Sequence, residues 1–146
     1  MGTRYYYGQT EHDRVVEASA STYSQLIQQG YQVTTNPGNQ HNRYVGVDSQ
    51  LFPDVIVWRP DQHNPNKGQA IIIEEIETSD TVNQNEVQQW RNFAALGVSK
   101  FILIVPANYA SEAHRLVLLN NIRVTEIWYY SIQNNQVYFT KYITLT

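Results

Sequence analysis

The sequence predicts an α/β (α+β) protein, a mixed sheet flanked by helices in the order α-β-β-β-α-β-α-β-β. Three observations carry that expectation. Two apolar runs of strand length, one through Val55, Ile56, Val57 and Trp58 and one through Ala70 to Ile73, flank a loop rich in Asn, Pro and Gly. Apolar residues recur at helical spacing before and after that pair. The run Phe101-Ile102-Leu103-Ile104-Val105 has no polar face, the mark of a strand covered on both sides and often parallel to its neighbours.

The elements follow in order. Over residues 9–29, Val16, Ala20, Tyr23 and Ile27 recur at helical spacing with Val15 and Leu26 beside them, so one helix is expected, closed by Gly30. Tyr31 to Thr35 is β-rich and forms a first strand, broken by Asn36-Pro37-Gly38-Asn39. The stretch 36–50 is the longest irregular part of the chain, a length at which loops tend to be functional. A second strand is expected from Asp54 to Arg59 and a third from Ala70 to Thr78, with a turn over 60–69. Asn83 followed three residues later by Glu86 resembles a capping box, so a second helix starts there, with Val87, Trp90, Phe93 and Ala94 on its apolar face and Gly97 at its end. Residues 109–120 read as a third helix. Ile122 to Tyr130 and Gln136 to Thr144 read as two strands joined by Gln133-Asn134-Asn135.

Composition narrows the function. The 146 residues fit a single domain spanning 1–146, long enough for a real core. No apolar run approaches the roughly 20 residues of a membrane helix, and the opening Met1-Gly2-Thr3-Arg4-Tyr5 lacks the apolar core of a signal peptide. The absence of cysteine excludes disulfides and thiolate sites and fits a reducing, cytoplasmic compartment. The formal net charge is −3, with three lysines (Lys67, Lys100, Lys141) and seven arginines, so the chain lacks a broad basic footprint for phosphate.

The acids are placed more tellingly than the bases. Asp54 opens the second strand, and Glu74, Glu75 and Glu77 close the third. Side chains alternate across a strand, so Glu75 and Glu77 share the face of Ile71 and Ile73, while Glu74 points the other way. Asp54, Glu75 and Glu77 can therefore gather around one point. Like charges brought together need a cation or a raised pKa, and a divalent metal with oxygen ligands is the plainest solution.

Pro53-Asp54 before one strand and Glu75-Ile76-Glu77 at the end of the next resemble the signature of the PD-(D/E)XK nuclease superfamily, the restriction-endonuclease-like fold. That signature is Pro-Asp, a variable gap, then Asp/Glu-x-Lys; here the gap is 21 residues (75 − 54), and Glu77 stands where the family usually has lysine. Some restriction enzymes of this fold also carry a second Glu there. Residues 9–106 follow the family's core order α-β-β-β-α-β. The resemblance implies a DNA endonuclease in which Asp54 and Glu75 bind Mg²⁺ (or Mn²⁺) and the metal activates water for attack on a phosphodiester. Glu77 would be a third ligand or the base that accepts the water's proton. A substitute for the missing cation would come from Lys67, Arg91 or a second metal. The family's first helix often contributes a carboxylate, here Glu17, with Glu11 as its rival. Gln89-x-x-x-Phe93 is loosely similar to the Gln-x-x-x-Tyr element of some members, so Gln88, Gln89 and Arg91 are candidates to touch phosphate or orient a ligand. DNA is the implied partner, a homodimer is compatible with double-strand cutting, and no membrane is implied.

Plainer readings stand beside these. Glu74 reads as a solvated or ion-paired residue. His12, His41, His63 and His114 have no zinc-ligand spacing. Tyr5-Tyr6-Tyr7 and Trp128-Tyr129-Tyr130 suit a core or a dimer interface better than base stacking. No Gly-x-Ser-x-Gly elbow is present. The alternative function is a catalytically inactive nuclease-fold module acting in binding or assembly, motivated by the missing lysine and the negative charge. A hydrolase of a small phosphate using the same acids is a third.

Overall fold

The structure is a computed structural model that describes residues 6–48 and 50–146. Tyr5 and the side chains of Tyr6 and Tyr7 lie outside the described residues, and with them the expectation placed on that aromatic run. The chain runs α1 (Tyr6–Ala20), α2 (Ser24–Gln28), β1 (Gln32–Thr35), β2 (Val55–Pro60), β3 (Gly68–Ile76), α3 (Val87–Ala94), β4 (Lys100–Pro106), α4 (Ala110–Leu119), β5 (Glu126–Gln133) and β6 (Gln136–Thr144). The fold is mixed α/β.

The strands lie in the sheet in chain order, β1 to β6. β1, β2 and β3 form an antiparallel meander, β3, β4 and β5 run parallel, and β6 returns antiparallel to β5. Parallel neighbours need a crossover, and α3 and α4 supply the two required here. Successive right-handed crossovers in one direction put both helices on the same face. Accordingly Trp90, Phe93, Leu116 and Val117 pack against Ile73, Phe101, Leu103 and Ile127. The opposite face is covered by α1, whose Val15 and Val16 meet Val55, Ile76, Ile102 and Ile104. Both faces of β4 are thus buried, which is why its sequence carries no polar alternation.

Several boundaries differ from expectation. The first helix is not continuous over 9–29. It leaves the α form at Ser21–Tyr23, where the Ser21 hydroxyl bonds the Ala18 carbonyl and the Thr22 hydroxyl bonds that of Ser19, each at 2.7 Å. Such back-bonding competes with the helix ladder, and the break leaves Ile27 exposed. β3 ends at Ile76 rather than Thr78, although the Glu77 amide still donates to the Ile104 carbonyl at 2.8 Å. Asn83 does cap, its Oδ1 accepting the Asn85 amide at 2.9 Å, but a 3-10 turn intervenes before α3 begins at Val87. β5 starts at Glu126, not Ile122, and continues to Gln133. Its turn into β6 places Asn134 and Asn135 at φ of 51° and 63°, the two positive values a tight I′-type hairpin requires.

Candidate active site

Asp54 sits one residue before β2, and Glu75 lies next to the end of the adjacent strand β3. Because those strands are antiparallel, the start of one abuts the end of the other, with Val55 opposite Glu74. The two carboxyls therefore meet at one edge of the meander, where α1 and α3 flank a cleft of about 350 Å³. His12 and Gln9 line it from α1, Gln89 and Asn92 from α3, and His41 from the 36–52 loop.

Asp54 is 7% exposed and held from several sides. The Ile76 amide donates to its Oδ2 at 2.7 Å, and His12 Nε2 lies 3.0 Å from its Oδ1. The Glu75 side chain hydrogen-bonds to it as well. Burial pushes the Asp54 carboxyl up, but the His12 charge, the His12 and Glu75 hydrogen bonds and the Ile76 amide outweigh it, so its pKa lies below the usual carboxylate value. His12 is itself buried, with Nδ1 3.0 Å from Asp13 Oδ1. A carboxylate oxygen thus lies 3.0 Å from each ring nitrogen, an arrangement that favours the doubly protonated ring.

The far wall is the 36–52 loop, and one side chain braces it. Asn36 is buried; its Nδ2 donates to the Arg43 and Pro53 carbonyls at 2.9 and 2.7 Å, and its Oδ1 accepts the Asn42 and Arg43 amides at 2.8 and 3.0 Å. His41 stacks on Phe52 with centroids 4.0 Å apart, and the Arg43 guanidinium lies 3.4 Å from the Trp58 ring centre. The loop is thus tied to Pro53 and to Trp58 of β2, and the His41–Phe52 stack closes it on itself.

The structure brings Asp54, Glu75 and Gln89 into one cleft and leaves the remaining sequence candidates outside it. Glu77 is buried away from the cleft lining, its Oε2 accepting from Trp90 Nε1 at 2.6 Å and its Oε1 from Thr81 Oγ1 at 2.8 Å. It sits one residue past β3, facing α3. Glu17 is exposed on α1. Its rival Glu11 accepts from Tyr130 at 2.6 Å. Arg91 turns outward to Gln88 at 3.1 Å and to the Asn120 carbonyl at 3.3 Å, and Lys67 is exposed in the β2–β3 turn, so neither lines the cleft as a substitute cation. Glu74 is not solvated or ion-paired; it is 3% exposed on the α1 face, accepting hydroxyls from Ser19 and Tyr23.

Zinc-ligand spacing does not single out His12 or His41 in the sequence. A signal existed for His12: it precedes Val15, Val16 and Ser19 by three, four and seven residues, on the buried stripe of α1. Nothing local marks His41 or Asn36, whose roles depend on where the loop closes.

Among the described residues, no group of three or more His, Asp or Glu side chains is arranged to hold a metal ion. A two-carboxylate site remains: Asp54 and Glu75 are oxygen donors in contact with each other, and Mg²⁺ is commonly held by one or two carboxylates with water and substrate phosphate completing its shell. No helix among the described residues is long and apolar enough to cross a membrane. Comparison with family models, curated proteins and solved structures returned no match.

Proposed function

We propose that the chain is a metal-dependent nuclease of the restriction-endonuclease-like kind, hydrolysing DNA phosphodiester bonds at the Asp54/Glu75 cleft. One observation carries the reading: Asp54 and Glu75, the two positions that match the family signature, have side chains in hydrogen-bond contact within a cleft flanked by α1 and α3. The element order over residues 6–106 lends it further support.

Two carboxyls in contact must share a proton or a cation. Mg²⁺ or Mn²⁺ held by Asp54 and Glu75 would supply an acidified water and offset the negative charge that grows on the phosphorus oxygens. The chain's own residues hold and orient. The Ile76 amide and His12 fix the Asp54 carboxylate from two directions, which spares it reorganisation when substrate binds. The Gln89 and Asn92 amides and the His41 ring line the walls and offer donors to phosphate oxygens. Glu77 takes neither of the roles expected of it, ligand or base. It ties the end of β3 to α3 through Trp90. Cutting both strands of a duplex with one cleft per chain calls for two copies.

A second reading is an inactive module of the same fold. It is favoured by the lack, among the described residues, of a three-ligand metal group and of a lysine or arginine lining the cleft. One experiment separates them: incubate supercoiled and linear DNA with wild type, Asp54→Asn and Glu75→Gln, with Mg²⁺, Mn²⁺ or EDTA. Cutting that needs metal and is lost in both variants supports the nuclease. Cutting that survives either substitution places the chemistry elsewhere. No cutting by any protein under any condition favours the binding module.

A further inference from the structure

A second cavity, of about 460 Å³, lies on the α1 face of the sheet beyond the end of that helix. Its walls are Ile102 and Ile104 of β4, Trp128 of β5 and Phe139 of β6, with Tyr23 along the helix side. Trp128 is turned by an irregularity in the β5–β6 register between Ile127 and Trp128, and such irregularities re-aim side chains. The volume is that of a small-molecule site, and such sites are mostly apolar with a few placed polar groups.

Two carboxylates belong to this cavity, and their surroundings differ. Glu126 is already satisfied: Trp128 Nε1 donates to Oε1 at 2.8 Å, and Lys100 and Lys141 lie 3.4 and 3.3 Å from Oε2. Glu74 is 3% exposed and receives the Ser19 and Tyr23 hydroxyls, while Lys100, which lines the same cavity, is paired with Glu126 instead. A buried carboxyl walled largely by apolar side chains and given no ion-pair partner is costly. Each of its oxygens keeps a further lone pair for a donor. Trp128, Phe139 and Tyr23 present aromatic surface, which attracts cations.

We infer that this cavity binds a small organic amine, its protonated nitrogen paired with Glu74 and its aromatic or branched aliphatic body lying against Trp128 and Phe139. The site is separate from the Asp54/Glu75 cleft and does not depend on the nuclease reading. An anionic ligand of the same shape would meet the wrong charge at the wall.

The test uses three probes of matched shape, phenethylamine, 3-phenylpropionate and ethylbenzene. Each is titrated into the whole protein at pH 8 with EDTA, followed by calorimetry and tryptophan fluorescence. Phenethylamine should bind one per chain, tenfold or more tighter than either analogue, and Glu74→Gln should erase that preference. The inference is overturned if wild type binds none of the three, if the acid or the hydrocarbon binds as tightly as the amine, or if Glu74→Gln keeps the preference. The wild-type comparison decides even if the variant does not fold.

Discussion

Trp90 Nε1 donates to Glu77 Oε2 at 2.6 Å, and neither side chain reaches solvent. Thr81 Oγ1 takes the other oxygen at 2.8 Å. The acid at the position where a lysine would complete the nuclease signature is therefore a buried anchor between the end of β3 and α3. Removing a donor from a buried charged group costs about 1.5 to 3 kcal/mol, so Trp90→Phe should lose that much unfolding free energy or more, read from a lower urea midpoint at unchanged slope. Glu77→Lys would bury an ammonium against indole and hydroxyl donors. We expect it to lose roughly 3 to 5 kcal/mol, the scale for an uncompensated buried charge, and to gain no cleavage. A Glu77→Lys protein that cuts DNA better than wild type would refute the anchoring role.

His12 is the positive group at Asp54. Removing one partner of a buried ion pair leaves the other uncompensated, at a cost of roughly 3 kcal/mol. His12→Ala should therefore melt well below wild type in EDTA. If Asp54 and Glu75 bind a divalent cation, that cation restores the lost charge, and Mn²⁺ should raise the variant's melting temperature more than it raises that of wild type. Equal shifts in the two proteins would mean that the ion does not bind beside His12.

Asn36 spends its amide on four backbone groups of the cleft loop and its edges. Asn36→Ala leaves those groups without that partner, at about 1 kcal/mol or more each for the ones that stay buried. The loop should loosen before the sheet does. Trypsin should cut after Arg43 much faster in the variant than in wild type under native conditions. An unchanged rate would show that the aromatic contacts of His41 and Arg43 hold the loop unaided.

Glu74 gives a pH signature. Burial pushes its carboxyl from 4.5 to about 7, reinforced by the Asp54 charge and opposed by the Ser19 and Tyr23 hydrogen bonds. The folded protein then keeps a proton that the unfolded chain releases, so stability falls as pH rises from about 4.5 to about 7 and levels off above. Glu74→Gln removes this dependence. In EDTA, the stability of wild type relative to the variant should decline across that window. A constant difference would mean that Glu74 titrates normally.

Much of the fold was legible because its signals are local. The unbroken apolar run of β4, the antiparallel β2–β3 pair, the cap at Asn83 and the Asn134-Asn135 turn each follow from backbone and side-chain preferences a few residues long. Strand alternation likewise sent Glu74 and Glu75 to opposite faces, and the pairing of β2 with β3 brought Asp54 to Glu75. Alternation did not tell what each acid would meet. Glu74 reads as solvated or ion-paired because sequence cannot show Ser19 and Tyr23 folding over it. The sequence offers Glu77 as a ligand or a base because its partner Trp90 lies across a turn and on another element. His12 carries no mark of its pairing because its partner Asp54 is distant in the chain and becomes a neighbour only when α1 packs on the sheet. The sequence by itself determined which segments are strands and helices, and which acids stand at the mouth of the meander, since those depend on period and propensity. Only the tertiary structure decided which acids line the cleft, which is an anchor and which faces an apolar cavity, since a carboxyl's role is set by the groups that long-range packing places around it.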